Sequence, residues 1–261
     1  MKSFIKTIVV TLAGNYQKLP VKPFRNILLG WYLKYFQPKL LENKFVIAEK
    51  RGIKYRVNLN HFIGVETYYG GGYEPPVSRI IDKYVKPGMT VFDVGANIGI
   101  HTCRMAKMAG RNGKVVAFDP DAGILEELKY NLQLNDLKNV VVENTALTDI
   151  NSLNKYATDK IDFIKIDTDG YECKIIRGGR ETIRKFKPVM VIEFCKFTLE
   201  EHGDRMEDLI DLLDSLGYSL FSARSLKEYP GKKSLLDIFA SLPRTTMNVL
   251  CLPKKYANTK H

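Results

Sequence analysis

The chain has little of what would place it in several common classes. Its four cysteines, Cys103, Cys173, Cys195 and Cys251, form no Cys-x-x-Cys pair and stand in no histidine-rich stretch. That argues against a disulfide framework and a zinc site, and points to reduced core thiols in a cytoplasmic protein. Apolar runs are short. Residues 5–13 are apolar but broken by Lys6, far under the roughly 20 residues that cross a bilayer. The unbroken apolar core and small-residue cleavage site of a signal peptide are lacking too. No internal repeat or low-complexity tract is present. Acids are scarce in one region: residues 1–60 hold twelve Lys/Arg and two acids, Glu42 and Glu49, a balance of +10 within a net +11 for the whole chain. The rest of the chain is therefore near neutral. Enzymes of nucleic acids usually surround the active site with basic surface, so this distribution argues against nucleic acid as the partner.

What is present is a glycine turn between a strand and a helix. The run Val91-Phe-Asp-Val-Gly-Ala-Asn-Ile-Gly-Ile-His-Thr102 reads as a buried strand ending in the acid Asp93, then Gly95-x-Asn97-x-Gly99, then a helix. The two glycines permit a tight turn and close approach of backbone to a ligand. Open α/β sheets build nucleotide sites at such strand ends. The dinucleotide fingerprint Gly-x-Gly-x-x-Gly is not met, because Asn97 and Ile100 stand at its second and third glycines. An acid at the strand end suits a cationic amino-acid group better than a pyrophosphate, which fits S-adenosylmethionine. A second apolar strand, residues 114–119, ends in Asp119, 24 residues after Gly95. That is close to the roughly 20-residue offset at which an acid meets ribose hydroxyls. The other use of Asp119 would be to cap the helix that starts near Asp121, with Pro120 at its first position.

Along the chain, residues 1–40 carry aromatic and aliphatic side chains at helical spacing among lysines and arginines. Two roles fit: helices packed on the domain, or a peripheral contact with an anionic membrane surface. Residues 44–59 alternate as a β-hairpin around Lys50-Arg51-Gly52. The expected division is 1–60 for this basic appendage and 61–261 for the cofactor-binding domain. Within the latter we expect helix 76–86, strand 89–94, helix 98–109, strand 114–119, helix 121–134 and strand 139–146. Strand 161–167, helix 171–186, strand 188–194, helix 203–216 and strands 218–223 and 246–253 follow. Alternating strands and helices predict a doubly wound, mostly parallel sheet. The final strand is expected to be antiparallel, with residues 224–245 as a loop.

These residues resemble the FkbM-type methyltransferases. The resemblance rests on Tyr73-Glu74, the Asp93–Gly99 run, Ala117-Phe-Asp-Pro120, Asn131, Leu134-Asn135, Ala146-Leu-Thr-Asp149, Pro188 through Glu193, and above all Ile164-Lys-Ile-Asp-Thr-Asp-Gly-Tyr-Glu172. It runs from about residue 62 to 223 and implies a class I, Rossmann-like S-adenosylmethionine fold that methylates a hydroxyl of a saccharide or secondary metabolite. It implies that Asp93, Gly95, Asn97 and Gly99 hold the methionine end of the cofactor, Asp119 the ribose, Ala146 the adenine through backbone groups, and that Glu74 helps close the pocket. In two places the chain departs from the family: Ser152-Leu153-Asn154 stands where the family has a longer Thr-Leu-Asp segment, and residues 1–60 carry no family signal.

On the acceptor side, strand ends deliver Asp167 and Glu193 towards one crevice, followed by Asp169, Glu172 and His202. Methyl transfer needs alignment of nucleophile, carbon and sulfur and a base for the hydroxyl proton. A buried carboxylate or a histidine can supply that base. Asp167, Glu193, Glu172 and His202 are the candidates, and Asp169 is assigned to a turn with Gly170. No adjacent Asp-Asp or Asp-Asn pair follows strand 188–194, so no metal is expected. A methyltransferase acting on RNA and a membrane-attached module without catalysis are the competing readings. The near-neutral body and the absence of an Asn/Asp-Pro-Pro-Tyr-like motif speak against the first, and the intact acids against the second. The sequence is silent on oligomeric state.

Overall fold

The computed structural model describes residues 45–150, 153–156, 159–242 and 245–254. The expected helices of residues 1–40 lie outside these. By its internal contacts the chain divides at Pro75 into two units. In the first, strands β1 (Phe45–Lys50) and β2 (Ile53–Asn58) pair antiparallel, with Ile47 opposite Arg56. Arg51 and Gly52 both have positive φ, 54° and 70°, as two-residue hairpin turns require. Ala48, Ile53, Tyr55 and Val57 form the buried face. Helix α1 (Phe62–Tyr69) belongs to this unit rather than to the sheet domain expected from residue 61 onward. Its Gly64 lies so close to the hairpin that a Cβ there would stand 2.0 Å from the Asn58 carbonyl oxygen.

The second unit is a seven-stranded sheet with helices on both faces. Its elements are α2 (Pro75–Tyr84), β3 (Thr90–Val94), α3 (Ile100–Ala109), β4 (Lys114–Asp119), α4 (Ala122–Leu134), β5 (Val140–Asn144), β6 (Phe163–Ile166), α5 (Glu172–Gly178), α6 (Arg180–Phe186), β7 (Val189–Cys195), α7 (Lys196–Glu201), α8 (Met206–Ser215), β8 (Tyr218–Ser222), α9 (Lys232–Ser241) and β9 (Thr246–Pro253). The strand order is β5-β4-β3-β6-β7-β9-β8. Strands β3 to β7 run parallel, and β9 lies antiparallel between β7 and β8. The expected antiparallel final strand is found.

Side-chain alternation splits the core in two. Phe92, Val94, Ile164, Ile166, Met190 and Ile192 face one layer, under α5, α6, α8 and α9. Val91, Val115, Phe163, Val191 and Leu250 face the other, under α2 and α3. By the same period of two, Asp93, Lys165 and Glu193 belong to the α2/α3 face. Helices α2 and α3 are joined by Arg104, whose guanidinium pairs with Asp82 and whose Nε donates to the Ser78 carbonyl at 3.2 Å.

Three expectations are corrected. The helix expected over 171–186 breaks at Gly179, which a side chain would push into Leu153: an added Cβ would lie 2.7 Å from Leu153 Cδ1. The helix expected over 203–216 spans Met206–Ser215, but a further short helix that was not expected, α7, springs directly from β7 before it, and Gly203 at φ 82° separates the two. The supposed loop 224–245 contains α9, whose Leu235 and Phe239, one helical turn apart, are buried.

Candidate active site

Three strand ends build one side of the site. Between β3 and α3 the backbone passes through positive φ at Gly95 (78°), Asn97 (49°) and Gly99 (85°). A Cβ on Gly95 would lie 1.8 Å from the carbonyl oxygen of Asp167, so the turn runs directly against the β6 end. Gly95 and Ala96 both donate their N–H to the Phe118 carbonyl at 3.0 Å. Asn131 of α4 donates from Nδ2 to the Ile98 carbonyl at 2.9 Å. At the end of β4, the Asp119 carboxylate accepts from Asn97 N at 2.9 Å and Asp121 N at 3.0 Å. Helix α4 is capped by Asp121, which accepts from Gly123 N and Ile124 N at 2.8 and 3.0 Å. Asp119 is therefore not spent on the cap. A carboxylate offers about four acceptor positions, and the capacity that Asp119 retains suits a vicinal diol. Ala146 is exposed just past β5, beside buried Leu147. Glu74 lies in the first unit, half-buried at φ 43°.

Asp93 departs from expectation. It is the penultimate residue of β3 and fully buried. Its Oδ2 accepts from Thr102 Oγ1 at 2.6 Å, and its Oδ1 stands 3.5 Å from Lys165 Nζ. The carboxylate has no surface from which to meet a ligand and acts inside the protein.

The other side of the site is built on that lysine, which the sequence reading passed over. Lys165 is 3% exposed. Its Nζ donates to the Gly95 carbonyl at 2.9 Å and stands 3.2 Å from Asp167 Oδ2. Asp167 in turn hydrogen-bonds the Glu193 carboxyl at the end of β7. Burial pushes both acids upward. At Asp167 the Lys165 charge, with the Glu193 hydrogen bond and His101, outweighs burial and holds the carboxyl below its ordinary range. At Glu193, burial and the charge of Asp167 act together and push it far up. Two carboxyls in contact cannot readily both ionise, and the opposite directions of the two shifts favour a shared proton on Glu193. His101 of α3, 4% exposed, is a second participant that sequence reasoning missed.

The remaining candidates lie around the loop that follows β6. Glu172 Oε1 accepts from Thr168 N, Thr168 Oγ1 and Gly170 N at 3.0, 2.9 and 3.3 Å. Burial raises it despite these bonds. It holds the loop in shape. Asp169 and Gly170 have φ 51° and 108°, the turn that was expected. His202 closes α7, stacks on Tyr171 with centroids 4.3 Å apart, and borders Gly170, whose Cβ would stand 2.6 Å from the His202 ring. All four cysteines are buried and free. Among the described residues, no group of three acids, histidines or cysteines is placed to hold a metal ion, and no helix is long and apolar enough to cross a membrane.

The sheet, with its antiparallel strand inserted next to the edge, is the class I methyltransferase fold. Residues 136–220 match the methyltransferase FkbM domain family, and residues 77–146 match the protein-L-isoaspartate(D-aspartate) O-methyltransferase family. The first of these two matches is to the family that the motifs resemble. A ribosomal protein L11 methyltransferase of Clostridium botulinum (strain Eklund 17B / Type B) is 38% identical over 72 residues, 28% of this chain and 22% of that protein. The counterpart of Bacillus cytotoxicus is 36% identical over 76 residues, 28% of this chain and 24% of that protein. The alignments thus span about a quarter of the length of these curated relatives. Among solved structures, the methyltransferase FkbM from Methylobacillus flagellatus KT overlaps with a TM-score of 0.45 at 16% identity, over 67% of this chain and 50% of that one.

Proposed function

We propose that the protein is an S-adenosylmethionine-dependent O-methyltransferase acting on a hydroxyl of a saccharide or small metabolite. The observation that carries this reading is the direct abutment of the glycine turn on the carboxyl pair: Gly95 packs on the Asp167 backbone, and Asp167 shares a hydrogen bond with Glu193. A cradle for the methyl donor and a group able to take a proton are thus adjoining parts of one wall.

When bound, S-adenosylmethionine supplies an electrophilic methyl group. The residues that would hold it are the backbone of Gly95, Asn97 and Gly99, the Asp119 carboxylate at the ribose, and Ala146 at the adenine. Asp93 supports them from within, through Thr102 and Lys165. Asp167 takes the acceptor's proton, a task for which general-base catalysis is worth about 10²–10⁴-fold. Glu193 donates a hydrogen bond to it, Glu172 shapes the loop behind it, and His202 borders the acceptor side. The carboxyl pair already holds its counterion in Lys165, so a metal is not required; activity unchanged in excess chelator is the expected result.

The test is isothermal titration of the whole protein with S-adenosylmethionine and S-adenosylhomocysteine, followed by a screen of acceptors that starts with sugars. Micromolar binding lost in Asp119→Ala supports the cofactor assignment. A folded wild-type protein that binds neither ligand overturns it.

A further inference from the structure

Lys165 lies in the middle of β6 between two apolar neighbours, Ile164 and Ile166. A buried ammonium is costly unless it is surrounded by acceptors. Here three oxygens from three segments meet it: the Gly95 carbonyl at 2.9 Å, Asp167 Oδ2 at 3.2 Å and Asp93 Oδ1 at 3.5 Å. One comes from the glycine turn, one from the acceptor side and one from the strand between them. Register explains the meeting. Asp93 is directly opposite Lys165 in the β3–β6 ladder, and Asp167 follows Lys165 by two residues, on the same side of the strand.

We infer that Lys165 is a positioning residue that makes Asp167 the proton-accepting carboxyl of the Asp167–Glu193 pair and ties that carboxylate to the glycine turn. Without the lysine the two acids would differ little, and their shared proton could sit on either. The ammonium forms an ion pair with Asp167, and so breaks the tie. The other charged groups facing the pair are Asp93 on β3, His101 on α3, and Asp169 and Glu172 from the loop and α5. Of these, Asp169 and Glu172 oppose ionisation of Glu193 and add to the same order.

This assignment deepens the methyl-transfer reading and rests on it for the use made of the proton. In that step the acceptor's O–H bond breaks. Its electron pair stays with oxygen for the new bond to carbon, the C–S pair leaves with the sulfur of the methyl donor, and the proton goes to Asp167. Asp167 is 19% exposed in its side chain, which leaves a route for that proton to water once the product departs. The pair then returns to one proton, on Glu193.

The experiment reads the order of ionisation in the free full-length protein. Side-chain carboxyl carbons of a ¹³C-labelled sample are followed by NMR from about pH 4 to 9, spanning the ordinary carboxylate range and beyond. Asp167 and Glu193 are assigned by the signals lost in Asp167→Asn and Glu193→Gln. The expected result is an ionised Asp167 beside a protonated Glu193 at neutral pH. In Lys165→Met the Asp167 midpoint should rise by at least about one unit, a tenfold change in proton affinity. Because Lys165→Met leaves Asp93 buried without its cation, Lys165→Met/Asp93→Asn serves as the second variant. An unmoved Asp167 midpoint in either folded variant, or a wild-type pair with the proton on Asp167, overturns the assignment. Calorimetry with S-adenosylhomocysteine on the same sample tests the methyl-transfer reading separately, since absent binding would defeat that reading without altering the order of ionisation.

Discussion

The two sides of the cleft handle their carboxylates in opposite ways. On the β3–β5 side, Asp119 is stabilised by backbone N–H groups of Asn97 and Asp121. Amides do not titrate, so the partners of that carboxylate are fixed dipoles, suited to holding a ligand in the proposed reading. On the β6–β7 side, Asp167 leans on Glu193 and on Lys165. Groups that neighbour other titrating groups hold a proton that can move. Under the proposed function, binding and proton transfer are separated along a single sheet edge, and that separation is open to attack at each end.

The largest effect is expected at the mobile end. Asp167→Asn should lower turnover by about 10²–10⁴-fold, the range for losing a general base, while calorimetry shows cofactor affinity within a few-fold. Cofactor binding lost instead would place Asp167 on the binding side and erase the contrast. Next comes the seam between the two sides. Gly95→Ala puts a Cβ 1.8 Å from the Asp167 carbonyl oxygen at a φ of 78°. The dihedral alone costs about 1–3 kcal/mol, so denaturant unfolding should show a loss above that, together with weakened cofactor binding. At the amide-bound end, Asp119→Ala should weaken S-adenosylhomocysteine by about 10–100-fold, the scale of lost charge-assisted hydrogen bonds. Unchanged affinity would remove Asp119 from the binding side.

The smallest effect has a diagnostic sign. Glu193 is raised in the folded protein, so its burial favours folding conditions at low pH and costs stability progressively as pH rises above the ordinary carboxylate range. Glu193→Gln removes that cost. Its melting temperature should exceed wild type at neutral pH by about 2–4 °C or more, the shift that ~1 kcal/mol makes in a domain of this size, and the gain should vanish in acid. Asp167 has the opposite sign: lowered in the fold, it contributes stability that is lost as pH falls below that range.

Much of the β3–β5 side was legible in the sequence, because its function is carried by backbone geometry that only certain residues permit. Gly95, Gly99 and the strand-end Asp119 announce themselves by type and spacing. The β6–β7 side was half legible. Asp167 and Glu193 follow from strand ends, but their partner does not, since the meeting of Lys165 with Asp93 depends on the register of two strands distant in sequence. The lysine in an otherwise apolar strand, two residues before an acid, was the available signal. Asp93 was misplaced for the same reason: its neighbours on β6 and α3 turn it inward. Helix α9 escaped because Pro230-Gly231 ahead of it and the lysines at its start read as loop, although Leu235, Leu236 and Phe239 pack on the core.

The position of β9 has a consequence for how the chain is made. Strand β8 has β9 as its neighbour in the sheet, and β7 borders β9 as well, so neither can complete its hydrogen bonding until residue 253 has been added. At roughly 5–20 residues per second on the ribosome, β7 and β8 wait on the order of seconds after they are built. During that interval the nascent chain presents an open apolar edge, Met190-Val-Ile, beside the growing polypeptide. Assembly of the acceptor side is therefore timed by translation of its farthest strand.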